Sequence, residues 1–287
     1  VIIKPTNFKN DEVIFRAFSK GGHSLVNDAD YYSASYAGAV VNQSGVAGFS
    51  AMDLSNMLKG KSTSLGVSIG QLSETMAGNT IPKETETLLQ LVHLYFTAPR
   101  KDKDAFESYK TRQKQLYANL GADPQIFFNV EFQKLMTQNH PRGGSLPKPE
   151  NFDQINLDRS QQIYKERFAN AADFTFLFVG AVNEATLKPL LEKYIGSLPA
   201  QAKKENFKDL GIRPPYRMVD TVFTKGTEPQ SEVNIVFTTP AVFNPAEQYA
   251  LVSLGELLSI KLVEKLREEK GGVYGVGAYG SMAKLPY

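Results

Sequence analysis

Residues 261–280, Lys-Leu-Val-Glu-Lys-Leu-Arg-Glu-Glu-Lys-Gly-Gly-Val-Tyr-Gly-Val-Gly-Ala-Tyr-Gly, leave the chain few ways to fold. Leu262, Val263 and Leu266 form the apolar stripe of an amphipathic helix. Gly271 and Gly272 are expected to stop it, because glycine takes the left-handed conformation that closes a helix without a steric penalty. A turn then leads into a strand. Arg267 stands on the last helical turn and Tyr274 at the start of the strand, so a guanidinium and a phenol can converge on one point. Taken alone, Arg267 is a solvated cation that complements the helix dipole. Glu264, Glu268 and Glu269 read as a solvated face shared with Lys261, Lys265 and Lys270.

The rest of the chain sets the frame for that stretch. At 287 residues, 42% hydrophobic and 22% charged, it is an ordinary globular sequence with material for about two domains. A net charge of +2 without a long basic stripe gives no sign of nucleic-acid binding. No apolar run approaches the roughly 18 residues that span a bilayer. The absence of Cys excludes disulfides and thiolate metal sites. A chain that opens at Val1 and stops at Tyr287, just after a strand has begun, reads as a piece of a longer polypeptide.

In order, Glu12–Lys20 is strand-like and ends at Gly21-Gly22. Helices are expected over 29–42, capped by Asp28, and over 46–59, closed by Gly60. Strands follow near 62–70 and 71–78. A buried helix starts at Pro82, and others cover 102–120 and 124–138. The run His140-Pro-Arg-Gly-Gly-Ser-Leu-Pro-Lys-Pro149 is dense in breakers and reads as a domain boundary. Beyond it come a helix (157–169), a strand (173–180), a helix (184–196) and a polar connector. Paired strands are expected over 216–225 and 231–239, with Val233, Ile235 and Phe237 on one face. Asn244-Pro245-Ala-Glu247 opens the helix pair that leads to Arg267. Short strands among long, clustered helices predict an α+β fold: two similar domains, 1–145 and 150–287, each an antiparallel sheet packed with helices, the second truncated at its C-terminus.

Several motifs are weighed and set aside. Gly66-Val-Ser68-Ile-Gly70 matches a nucleophile elbow, but the alternation of Leu65, Val67 and Ile69 makes it a strand. Gly275-Val-Gly277-Ala-Tyr-Gly280 follows a helix rather than a strand, which is the wrong context for a dinucleotide loop. His23, His93 and His140 stand apart, and His93 reads as a core histidine with one satisfied nitrogen. No metal site assembles from them. The sequon Asn42-Gln-Ser44 matters only in a secreted eukaryotic chain.

The Arg-Glu-Glu-Lys-Gly-Gly-Val-Tyr string after a Leu-rich helix resembles the Arg…Tyr pair in the second half of pitrilysin and insulin-degrading-enzyme type zinc metallopeptidases, the inverzincins. That family's zinc helix carries H-x-x-E-H. Laying residues 48–61 on it places Ala51 and Ser55 at the two His positions and Leu54 at the Glu position, so the chain is similar to the family's degenerate C-terminal half. Tyr164–Asp173 and Phe178–Asn183 resemble the opening of that half's second domain. The resemblance implies no zinc in this chain and a zinc ion in an N-terminal partner half, of the same protein or a homologous subunit. It implies a peptide or unfolded-polypeptide substrate, with Arg267 binding its backbone and Tyr274 serving catalysis as well as binding. The fragment alone is then inactive. A non-catalytic partner that binds polypeptide without cleaving it is the alternative. A bacterial source is implied, with the periplasm favoured over the cytoplasm.

Overall fold

The structure, a computed structural model, describes residues 1–144 and 146–285. Two compact units divide it: Val1–Arg213 with Thr221–Thr227, and Pro214–Asp220 with Glu228–Tyr287.

The first unit is built around β2 (Val13–Lys20), which buries Val13, Phe15, Ala17 and Ser19 and turns the residues between them outward. That alternation is what a strand with one face on a core requires. β2 ends at Gly21-Gly22 because the chain passes close to its neighbours there: a Cβ on Gly22 would stand 2.3 Å from the Gly70 carbonyl oxygen. Two short helices follow, α1 (Tyr31–Ser35) and α2 (Ala37–Ser44), then α3 (Ala51–Met57). Ser50 and Asp53 form a reciprocal capping box at the start of α3. The strands β3 (Ser64–Ile69) and β4 (Ser73–Thr80) pair antiparallel, so the elbow-like Gly66–Gly70 motif is a strand. A 3-10 turn with Pro82 at its start leads into α4 (Thr85–Thr97), and α5 (Lys103–Leu120) and α6 (Pro124–Met136) follow. Asp102 and Asp123 cap the last two.

After α7 (Leu157–Arg167), β5 (Thr175–Gly180) enters the same sheet, and α8 (Glu184–Tyr194) packs against α4. With β1 (Ile2–Pro5) the order is β1-β5-β2-β4-β3. The sheet is antiparallel except for β1 and β5, which run parallel. Phe15 of β2 and Phe178 of β5 are fully buried, with ring centroids 5.1 Å apart. Met76, Leu88, Leu89, Tyr164 and Phe168 complete the centre of the core.

This topology moves the expected domain division. β5 lies between β1 and β2, so the breaker-rich stretch at 140–149 falls inside the first unit, and the division comes at Arg213. The stretch is held by Arg142, which is almost fully buried. Its guanidinium donates to the carbonyls of His23 (2.9 Å) and Val26 (2.7 Å) and pairs with Asp28 at 2.7 Å. Asp28 is thus an ion-pair partner, and the cap falls to Asn27, which accepts from the Asp30 N–H.

Both sheet edges are interrupted. At β3 the Asn42 carboxamide donates to the Val67 carbonyl at 2.9 Å and accepts from the Val67 N–H at 3.2 Å, as a neighbouring strand would. Gly38 lets α2 come this close, since a Cβ there would lie 2.8 Å from Ser68 Cα. At β1 the Thr6 N–H donates inward to Gly180, so alternation turns Pro5, which has no N–H, outward.

The second unit is dominated by α9 (Pro245–Leu262). Asn244 accepts from the Ala246 N–H at 2.9 Å and Pro245 opens the first turn, as expected. One helix stands here in place of a pair, continuing as a π-helical segment over Val263–Glu269. No strand forms over 216–225 or 231–239; Val233, Ile235 and Phe237 are 81%, 76% and 92% exposed. A strand needs a ladder partner as well as alternation, and none of the described residues supplies one here.

Candidate substrate-contact site

Arg267 lies in the π segment, a register shift that widens the helix by one residue per hydrogen bond and recurs at functional positions. The segment closes through two bonds: Gly271 N–H to the Arg267 carbonyl (3.1 Å) and Gly272 N–H to the Leu266 carbonyl (3.0 Å). Gly271 takes φ +58°, the left-handed value expected at a helix stop, whereas Gly272 is not among the positive-φ glycines. One glycine therefore makes the turn that the sequence assigns to two. Solvated ion pairs flank it, Lys261 with Glu264 at 2.8 Å and Lys265 with Glu269 at 2.7 Å.

The return of the chain is governed by Gly255 and Ser259 of α9. Gly255 is the one buried residue of that helix, and a Cβ on it would stand 3.1 Å from the Ala278 carbonyl oxygen. The Ser259 hydroxyl accepts the Ala278 N–H at 2.8 Å. Gly280 lies so close to the helix that a Cβ would be 2.5 Å from the Leu251 carbonyl. The glycines at 275–280 thus let an extended chain lie along α9, a packing role that their dinucleotide-like spacing conceals. No strand forms over 270–285, and Tyr274 sits instead in a loop, anchored at Gly271 and at Ala278.

Arg267 and Tyr274 are therefore carried on one short helix–loop junction. Tyr274 is fully exposed. The Arg267 side chain is 57% exposed, with Nε 3.8 Å from a Glu268 oxygen. An exposed guanidinium can donate in bidentate fashion to main-chain carbonyls, and a phenol can donate one hydrogen bond to an oxygen that gains charge.

The helix laid against the zinc motif is α3. Ala51 and Leu54 are half-buried, Leu54 packs on the main core, and Ser55 faces solvent. None offers an imidazole or carboxylate, so these residues do not fit a zinc ion, and no chemistry is routed through one here. Among the described residues no three His, Cys, Asp or Glu side chains are grouped to hold a metal. The histidines have local roles. His93 Nδ1 meets the Tyr194 carbonyl at 3.1 Å, and His140 Nδ1 accepts the Arg142 N–H at 3.0 Å. His23 is buried edge-on against Tyr31. No described helix is long and apolar enough to cross a membrane.

Residues 154–285 match the family model described as the peptidase M16 inactive domain. The chain is 22% identical over 271 residues to the probable zinc protease PqqL of Haemophilus influenzae, covering 94% of this chain and 28% of that protein. It is 24% identical over 283 residues to the zinc protease PQQL-like of Arabidopsis thaliana, covering 96% and 27%. Its fold is similar to that of the periplasmic protease PqqL from Escherichia coli, with a TM-score of 0.75 at 18% identity over 95% of this chain and 30% of that one. A peptidase M16 inactive domain from Pseudomonas fluorescens gives a TM-score of 0.66 at 18% identity, covering 95% and 66%. The chain thus spans less than a third of the length of the curated relatives it matches.

Proposed function

We propose that this chain, whose residues 154–285 match the peptidase M16 inactive domain, is the C-terminal, non-zinc half of a zinc metallopeptidase that hydrolyses peptides or unfolded polypeptides. The observation that carries this reading is the match of residues 154–285 to an inactive domain, in a chain whose α3 has Ala51, Leu54 and Ser55 in place of zinc-helix residues. The names of the two zinc-protease relatives support it, and the periplasmic relative supports a periplasmic setting. Zinc, held by the N-terminal half, would supply the activated water. Arg267 hydrogen-bonds the substrate backbone, and Tyr274 donates to the scissile carbonyl as negative charge develops on it.

The test is steady-state peptide hydrolysis by the complete protein, with melting temperature as the control. Arg267→Ala should weaken binding and rate together. Tyr274→Phe removes one oxygen and should lower kcat roughly 10–1000-fold. The isolated chain should cleave nothing. Wild-type kcat/KM in both stable variants would make the pair scaffold and favour the second reading, a partner that binds polypeptide without cleaving it, which the description "inactive domain" also fits.

A further inference from the structure

The polar connector after α8 is ordered but not packed. Leu198 is buried in the core, yet every residue from Pro199 to Lys208 is exposed or only half-buried. It has no helix or strand of its own. Polar contacts to α7, to the turn before β5 and to the Gly22–Leu25 turn hold it instead. The Ala171 N–H donates to the Pro199 carbonyl at 2.9 Å. Asn170 clips two points, accepting from the Gln201 N–H at 2.7 Å and donating to the Lys203 carbonyl at 2.6 Å. Asp173 accepts the Glu205 N–H at 2.9 Å, and Ser24 accepts the Lys208 N–H at 2.9 Å. Arg167 reaches the Glu205 carboxylate at 2.6 Å.

Five of these six bonds go to main-chain atoms of the connector, and one goes to a side chain. Each competes with water, and no buried apolar side chain adds to them, the profile of a segment that opens far below the cost of global unfolding. Arg167 also lies 3.4 Å from the buried Glu74, so it keeps a carboxylate partner when Glu205 leaves. Departure therefore strands no buried cation.

We propose that residues 199–208 are a detachable strap, which lifts off as a unit while the rest of the first unit stays folded. Once lifted, it bares a track (Ser24, Arg167, Asn170 and Asp173) that reads main-chain donors and acceptors and one carboxylate, with little regard for other side chains.

Hydrogen exchange of the full chain, followed by mass spectrometry of peptides from 199–208, β2 and α4, tests this. The strap amides should exchange well ahead of β2 and α4 in the parent. Asn170→Ala removes two clips and Glu205→Gln removes one charge. Each should speed exchange of 199–208 by roughly 5–10-fold and leave β2 and α4 unchanged. Glu205→Gln is the milder change and guards against a variant that fails to fold. Strap exchange as slow as that of β2 in the parent would overturn the proposal. So would strap rates that neither variant alters, or acceleration of strap and core together.

Discussion

His23 shows how far a single side chain's state depends on distant sequence. Burial, and then the charge of Arg142, lower its pKa from 6.5 to about 4. The unfolded chain takes up a proton near pH 6.5 and the folded one only near pH 4, so the unfolded state binds more protons between those values. The stability that His23 contributes is therefore complete above pH 6.5 and declines by roughly 3 kcal/mol as the pH falls to 4. Glu74 works against this trend: its carboxyl is raised mainly by burial, so the folded state binds its proton more tightly and gains stability as that proton binds. Denaturant midpoints at pH 7 and pH 4.5 should differ less in His23→Gln than in the parent, and equal differences would refute the assignment. Part of this is invisible near position 23, because Arg142, whose charge adds to the effect of burial, lies 119 residues away. Gly271 is the opposite case, legible from its place after a periodic helix. Gly271→Val should cost about 1–2 kcal/mol because a β-branched residue is forced into positive φ, while Gly272→Val carries no such strain. Thermal unfolding followed by far-ultraviolet dichroism checks the pair, and equal losses would show the turn to be made otherwise.

Elements with local signals were readable. The Val13–Lys20 alternation, the helix start at 124, the Asn244-Pro245 start and the buried face of α4 all stand where periodicity and capping put them. Elements that depend on a partner were not. The alternation at 231–239 satisfies the strand pattern but has no ladder, and the glycines at 275–280 take their meaning from Gly255. The breakers at 140–149 resemble a linker because Arg142's carbonyl acceptors are remote in sequence. The position of β5 has a direct consequence. A fragment ending at residue 145 lacks the strand that joins β1 to β2 and leaves Phe15 without Phe178. It should show no cooperative unfolding transition, whereas a fragment ending at residue 213 should. A cooperative melt of the shorter fragment would restore the domain boundary at 145–150.

On the scale of the whole molecule, the reading of chemistry rests on α3, which has Ala51, Leu54 and Ser55 where a zinc helix has His and Glu, and on the proposed role of Arg267 and Tyr274. The two units also differ in how they are finished. The first has a closed core, while the second leaves Tyr249, Leu257, Leu258, Ile260 and Tyr279 largely in solvent. The first unit's sheet is guarded at its margins. A row of open N–H and C=O groups on an edge strand is a template on which further copies can stack into a fibril. Here the Asn42 carboxamide fills both backbone positions of Val67, and Pro5 withholds a donor from the opposite margin. A second copy arriving at either margin meets a gap in the ladder, so ordered aggregation has no uninterrupted strand of this sheet from which to grow.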